Sequence, residues 1–421
     1  VQETVRQTAG AIGQGAALAL AAVLRQSGAP QPDSAAIGRL IAANGWPLLL
    51  AEAERHEVGA LLSWRLERIP GMPPAFLDAL RVQFAASAQR ALGFTSELLR
   101  VLGILKQAGV HPVPFKGPVL AWSFYETPAL RNFGDLDLLL RPEEVSEAVR
   151  ALQADGFVSE FAADQRLYSA YRHLPMERRG AVVELHWALM PGGHPFGEGL
   201  DNMLQRLVSV TIAGRPVPSL SAEDLLPYLC IHGCKHAWAS LKWVCDIERV
   251  VTSAPVPWSR LWERAAAEGF ARHLSVGLLL ARDLLGADLP AAATAGVDPV
   301  ASKFAASLRW ERQPTRADEV IFQLRCAAGL KQKLRVGSSF LRPTPTDSAS
   351  HRLPFYPAYF LRRAARVLVC QGLTLAGWLW RRLAVRLSGD LFAGPRRSRR
   401  ATAESPVGAP AIPVGNAGHN A

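Results

Sequence analysis

Apolar positions recur at helical spacing through much of this chain. Across residues 75–107, Leu77, Leu80, Phe84, Leu98, Leu102 and Leu105 fall close to an i, i+3, i+4 pattern, which predicts a helix that buries one face. Pro73 and Pro74 separate it from a second helical stretch at 46–67. Ahead of both, residues 1–26 are rich in alanine. Their apolar part, 10–24, follows Glu3 and Arg6 and lacks a basic start and a clear cleavage context, so it reads as a helix packed on the domain rather than a leader. Ser221-Ala222-Glu223-Asp224 then reads as a cap followed by first-turn acids, opening a helix that continues from Leu225 to Trp238. The pattern stays helical over 257–334, with Gly269, Gly286 and Gly296 as punctuation.

Between 111 and 217 the period changes. His111 to Pro118 reads as a short strand, a turn, and a helix beginning near Pro118, where a missing N–H is tolerated. Residues 132–140 are an apolar run bounded by Gly134 and by Arg141-Pro142, too short for a helix and suited to a buried strand. Pro142, Glu143 and Glu144 open a helix that ends at Gly156-Phe157. Two further strands, 171–178 and 181–189, are joined at Arg179-Gly180 as a hairpin, which would set Glu184 on a strand beside 132–140.

The strand at 132–140 is interrupted by Asp135 and Asp137. Residues two apart share a face, about 6–7 Å along the strand, so the two carboxylates converge. They repel unless a cation lies between them, and Mg²⁺ held by carboxylates and substrate phosphates answers that need. Taken alone, Asp-x-Asp is also met on solvated edge strands. Downstream, Glu184 and His186 share one face while Val183, Leu185 and Trp187 take the other; an acid in so apolar a run needs a partner. Upstream, Lys116 and Gly117 precede a helix start, a place for a phosphate, and Arg131 stands four residues before Asp135 as a second cation for the same anion. The expected phosphate or nucleotide contacts are Lys116, Gly117 and Arg131, with Gly134 at the start of the acidic strand. Three carboxylates on adjacent strands beside such a turn describe a site for two-metal phosphoryl chemistry.

Together, Lys116-Gly117, Tyr125, Pro128, Arg131, Gly134-Asp135-Leu136-Asp137-Leu138 and Glu184-Leu185-His186-Trp187 resemble the signature of an uncharacterised bacterial nucleotidyltransferase family of the DNA polymerase β-like superfamily. The segments Leu229-Cys230-Ile231-His232-Gly233-Cys234-Lys235-His236-Ala237-Trp238 and Leu241-Lys242-Trp243-Val244-Cys245-Asp246-Ile247 resemble that family's next helices, so the likeness runs from about 82 to 250. The resemblance implies an α+β fold, a small mixed sheet with helices flanked by helical regions. It also implies Mg²⁺, or Mn²⁺ in its place, held by Asp135 and Asp137 with Glu184 as third carboxylate. In the superfamily a Gly-Ser pair usually sits on the phosphate turn; Lys116-Gly117-Pro118 removes a hydroxyl and one N–H, and Lys116 is the replacement contact. The implied reaction moves a nucleoside monophosphate from an NTP to an acceptor hydroxyl on a small molecule, saccharide, protein or RNA. The rivals are a catalytically silent nucleotide- or partner-binding module and a membrane-surface protein.

Composition adjusts this picture in three places. At 421 residues, with 49% hydrophobic and 20% charged, the chain is long enough for two or three domains: a helical region at 1–108, the nucleotidyltransferase core at 109–220, a helical domain at 221–340, a linker and basic apolar helix at 341–390, and a disordered tail at 391–421. The net charge of +11 is concentrated at 361–400, where ten arginines face one acid, Asp390, so the high pI describes the C-terminal region and not the substrate. There an apolar run at 367–380 with Trp378 and Trp380, flanked by arginine pairs, is too short to span a bilayer and suits contact with an anionic membrane surface or packing on the helical domain. Five scattered cysteines without a Cys-x-x-Cys spacing read as reduced, buried thiols of a cytoplasmic protein. His232 and His236, four apart with Cys234 between them and Asp246 beyond, offer half a zinc site, but no second ligand pair follows. Lys235 and His236 are expected as structural groups or as closure of the nucleotide pocket from the helical side, and Trp238 and Trp243 as core.

Overall fold

A long helix under a small sheet organises the architecture. The computed structural model describes residues 15–25, 38–39, 45–67, 69–159, 172–190, 195, 199–308, 310 and 312–339. These all belong to a unit spanning Val1–Ala364. The expected linker and basic apolar helix at 341–390, the tail at 391–421 and Cys370 lie outside the described residues.

Helix α1 covers 15–24, and α2 (Trp46–Arg55) and α3 (Gly59–Leu66) follow. The sequence pattern predicted one helix over 46–67, but the chain breaks at Glu57, whose φ of 57° is left-handed. The break docks a later helix: Ser240 Oγ donates to the His56 carbonyl at 2.6 Å, and the Leu241 N–H donates to His56 Nδ1 at 3.3 Å. Helix α4 (Pro74–Gln107) has 34 residues, roughly 50 Å of rod. Its first half buries Phe76 and Leu80 in one core, shared with Leu20 and Leu24 of α1. Its second half buries Leu98, Val101 and Leu105 in another core, beneath the sheet. Each such residue contributes roughly 2 kcal/mol by leaving water, while the helix starts at Pro73 with no side-chain cap. The apolar stripe, not the end chemistry, holds α4 in place.

The sheet is built from β1 (Val113–Pro114), β2 (Asp135–Leu139), β3 (His173–Arg178) and β4 (Ala181–His186). Its order is β1-β2-β4-β3, with β2 and β4 parallel and the outer pairs antiparallel. Helix α5 (Pro118–Phe124) lies between β1 and β2, and α6 (Val145–Ala154) follows β2. One sheet face carries Leu136, Leu138, Val183 and Leu185, packed on α4 and on Val149 and Leu152 of α6. Because side chains alternate, Asp135, Asp137, Glu184 and His186 fall on the other face. The β3–β4 turn places Arg179 and Gly180 at φ 49° and 80°, the two left-handed residues of a tight hairpin.

After α7 (Leu200–Leu204), β5 (Val208–Ile212) and β6 (Arg215–Ser219) make a separate hairpin that the sequence pattern did not predict. Helix α8 (Ala222–Lys235) lies over the open face of the sheet; α9 (Leu241–Ser253) and α11 (Ala271–Leu285) pack on it, and α10 (Trp258–Glu268) packs on α11. Ser221 precedes α8 but makes no capping bond to its backbone; its hydroxyl donates to Asp224 instead, at 3.2 Å. Asp224 is fully buried and accepts from Arg206 and Arg264 at 2.8 and 2.9 Å, so this first-turn acid anchors neighbouring segments. Helix α8 stops at Lys235, short of Trp238, because Ala237 and Trp238 take φ of 48° and 54°. The Trp238 ring thereby folds back on Gly233, where a Cβ would lie 2.6 Å from it. Among the described residues, no helix is long and apolar enough to cross a membrane, and Cys230, Cys234, Cys245 and Cys326 are free and buried.

Candidate active site

The parallel register of β2 and β4 sets Asp137 opposite Glu184 and Leu139 opposite His186. Antiparallel β3 sets His173 opposite His186, with their rings stacked at 5.5 Å. A cavity of about 220 Å³ opens over this face, and Lys116, Asp135, Asp137, Glu184, His186 and Lys235 are among its lining residues. Tyr228 and His232 of α8, and His236 just past its end, line it from above, and Arg172 and His173 from the side. The strands bring the acids, the turn after β1 brings Lys116, and the helix brings Lys235 and aromatic rings.

Asp137 is 1% exposed. Its Oδ1 lies 3.3 Å from Lys116 Nζ and 3.1 Å from His186 Nε2. Its Oδ2 has no hydrogen bond, although the Lys116 ammonium stands 3.2 Å away at an unfavourable angle. Burial works against the Asp137 carboxylate, but Lys116 and then His186 hold it well below the ordinary range. The Asp137 charge in turn raises Lys116, whose own burial opposes its charge. Asp135 is pushed the other way, first by burial and then by the Asp137 charge. Glu184 is opposed by burial but is drawn down by a hydrogen bond from His186, at 3.2 Å. His186, against its burial, is raised by the two carboxylates it bridges. Lys116 and His186 are thus the groups that hold the Asp137 and Glu184 charges together, and a cation placed between the carboxylates would relieve the repulsion that remains.

Asp137, Glu184 and His186 each offer a ligand atom, all within 4.8 Å of one another. Among the described residues this is the group suited to a metal; Asp135 lines the same cavity outside it, and His232 and His236 make no such group. His236 Nδ1 instead lies 3.1 Å from Glu319 Oε1, and burial lowers both His232 and His236. Both rings line the pocket where burial disfavours their charged form.

Lys116 rides on the turn after β1. Gly117, at φ 56°, passes so close to β2 that a Cβ would meet the Asp135 carbonyl at 2.8 Å, which explains a glycine there. Neither Gly117 nor Gly134 lines the cavity. Arg131 does not line it either, contrary to its expected place on the phosphate. Its guanidinium grips Asp246 of α9 at 2.7 and 2.9 Å, although its charge still acts on Asp135. Of the β3 charges, only His173 reaches the cavity. Arg178 donates to the Asp155 carbonyl at 2.8 Å, Glu177 bridges Val158 through its backbone, and Arg179 sits in the turn.

Lys235 is the cation that sequence reasoning undervalued. It reaches the cavity from the last turn of α8, and no carboxylate among the described residues pairs with it. Its signal was its place, one position before His236 on a helix already suspected of closing the pocket.

No curated protein matches the chain. Residues 42–286 match a family described as uncharacterised nucleotidyltransferase, a span running from just before α2 to the end of α11 and covering more than half of the sequence. With the acidic cavity, the mixed sheet and its helical flanks inside that span, the chain belongs to this nucleotidyltransferase family.

Proposed function

We propose that this protein transfers a nucleoside monophosphate from an NTP to an acceptor hydroxyl, as a relative of the polymerase β-like enzymes. The observation that supports it is the pairing of Asp137 with Glu184 across parallel strands, with Asp135 lining the same cavity. Asp135 and Asp137 would hold two Mg²⁺ ions, and Glu184 would join them at one. The unbonded Oδ2 of buried Asp137 and the crowding that raises Asp135 fit such a group. Bound Mg²⁺ would neutralise the phosphates and favour an attacking alkoxide.

The rest of the work falls to the protein. Lys116 and Lys235 flank the carboxylates and offset the charge of the departing pyrophosphate. Glu184 accepts the acceptor's proton as its oxygen bonds to the α-phosphorus; the bond to the bridging oxygen breaks and its electron pair leaves with pyrophosphate. Residues 109–220 supply the acids in this reading, and 221–340 close the pocket from the helical side.

The test incubates purified full chain with each α-labelled NTP, Mg²⁺ and cell extract, and asks what becomes labelled. Labelling by the native protein that falls at least about 10³-fold in Asp137→Asn supports the reading, because positioning and charge neutralisation are most of this chemistry. Unchanged labelling in that variant removes it. The turn Lys116-Gly117-Pro118, its ammonium paired with Asp137, favours one rival: a module that binds NTP without turnover. Calorimetric binding with no labelling of any extract component would decide for it.

A further inference from the structure

We propose that His186 is a direct imidazole ligand, with Asp137 and Glu184, of one bound dication, and that this mixed nitrogen–oxygen set takes a first-row transition ion in preference to Mg²⁺. The proposal rests on the metal assigned to this cavity above, but it does not require that any nucleotide be transferred.

Spacing carries the argument. His186 Nε2 lies 3.1 Å from Asp137 Oδ1 and 3.2 Å from Glu184 Oε2. Adjacent ligands of one six-coordinate ion with bonds of about 2.1 Å are about 3.0 Å apart, so His186 stands from each carboxylate at nearly the separation of one shell, with all three ligand atoms within 4.8 Å of one another. As a purely structural contact, the arrangement is poor. A single ring N–H would have to serve two carboxylates, and Asp137 Oδ2, buried beside it, would still lack a hydrogen bond. One ion satisfies all of these acceptors together.

The ring is also held in position before any ion arrives. His186 meets the edge of Phe115 at 5.3 Å and stacks on His173, and Phe115 in turn meets Tyr228 of α8 at 5.2 Å. Imidazole among the ligands changes the selectivity. Mg²⁺ is a hard ion that favours oxygen ligands and keeps several waters, whereas imidazole adds affinity for transition dications. Asp135, outside the set, leaves an all-oxygen position for the ion that arrives with phosphates.

The experiment uses Mn²⁺ alone, as a paramagnetic probe, on the full-length protein without nucleotide. Pulsed electron-spin-echo spectroscopy is expected to show ¹⁴N modulation from a coordinated imidazole, replaced by ¹⁵N modulation when histidine is ¹⁵N-labelled. His186→Asn should abolish the modulation and weaken Mn²⁺ binding about tenfold or more, with Mg²⁺ binding changed less, while His173→Asn keeps the signal. If His186→Asn does not fold, the labelled native protein still decides. Mn²⁺ bound without nitrogen modulation, or no Mn²⁺ bound at millimolar concentration, overturns the proposal. NTP labelling on the same preparations separates the two readings: transfer without nitrogen modulation leaves nucleotidyl transfer standing and ends the imidazole ligand alone.

Discussion

Arg131 holds Asp246 through two hydrogen bonds of 2.7 and 2.9 Å, and the Tyr125 hydroxyl donates a third, at 2.7 Å, to the same carboxylate. Arg131 is 4% exposed and Asp246 is fully buried, so the pair ties the segment before β2 to the middle of α9. Breaking such a pair by removing one member costs about 3–5 kcal/mol, since the other charge is left buried. Arg131→Ala and Asp246→Ala are each expected to lose about that much stability in urea unfolding, and the double variant to lose much less than the sum. Native stability in Arg131→Ala together with weakened NTP affinity would return Arg131 to the substrate.

This pair also marks the limit of what the sequence made legible. The alternation around Asp135, Asp137, Glu184 and His186 was readable because period-2 patterning assigns faces without a partner strand. Which residues would sit opposite one another was not, because register is set by the path between strands. Arg131 looked placed for the anion at Asp135 since only chain distance was visible; the turn at Pro128–Leu130 directs it elsewhere. A charged residue within Val244-Cys245-Asp246-Ile247 was the available signal, as it requires a buried cation. The β5–β6 hairpin was hidden by Pro216 and Pro218, which sit in a two-stranded ribbon that has no inner neighbour to require their missing N–H groups. The break at Glu57 was equally silent, being fixed by contacts with residues 240–242, far along the chain.

Gly117 gives a sharper test of the turn. Its φ of 56° and the 2.8 Å approach to the Asp135 carbonyl leave no room for a methyl group. Gly117→Ala is expected to cost about 1–3 kcal/mol of stability. It should also shift the start of β2, weakening metal binding more than its effect on Tm alone would suggest. A variant with unchanged Tm and unchanged Mn²⁺ affinity would show that the close approach is dispensable.

Acid should destabilise the fold through two histidines remote from the carboxylates of the cavity. Burial, and then the neighbouring Arg55, lower His56 to about 3; burial, and then Arg272, lower His273 to about 3. Between that value and the unfolded-state value near 6.5, the unfolded chain binds more protons, so stability falls as pH falls through this window. Each histidine contributes on the order of 2 kcal/mol between pH 6.5 and 5. Urea unfolding at pH 7 and pH 5 should therefore differ markedly, and the difference should shrink in His273→Leu. An unchanged difference in that variant would show that His273 does not charge on unfolding.

Lys235 should separate binding from folding. Burial, and then Lys116, lower its pKa, and Glu184 and Glu319 offset this only in part, so its charge is held at a cost, and no carboxylate among the described residues forms a close ion pair with it. An NTP supplies the missing anion. Removing the ammonium relieves that cost, so Lys235→Met is expected to match or exceed the native Tm while raising the KM for NTP about tenfold, roughly 1.4 kcal/mol of lost binding. Lys235→Arg, which keeps the charge on a bulkier group, should recover part of the affinity. A Lys235→Met protein with native KM would place the polyphosphate on Lys116 alone, and a loss of Tm without change in KM would make Lys235 a packing residue of α8.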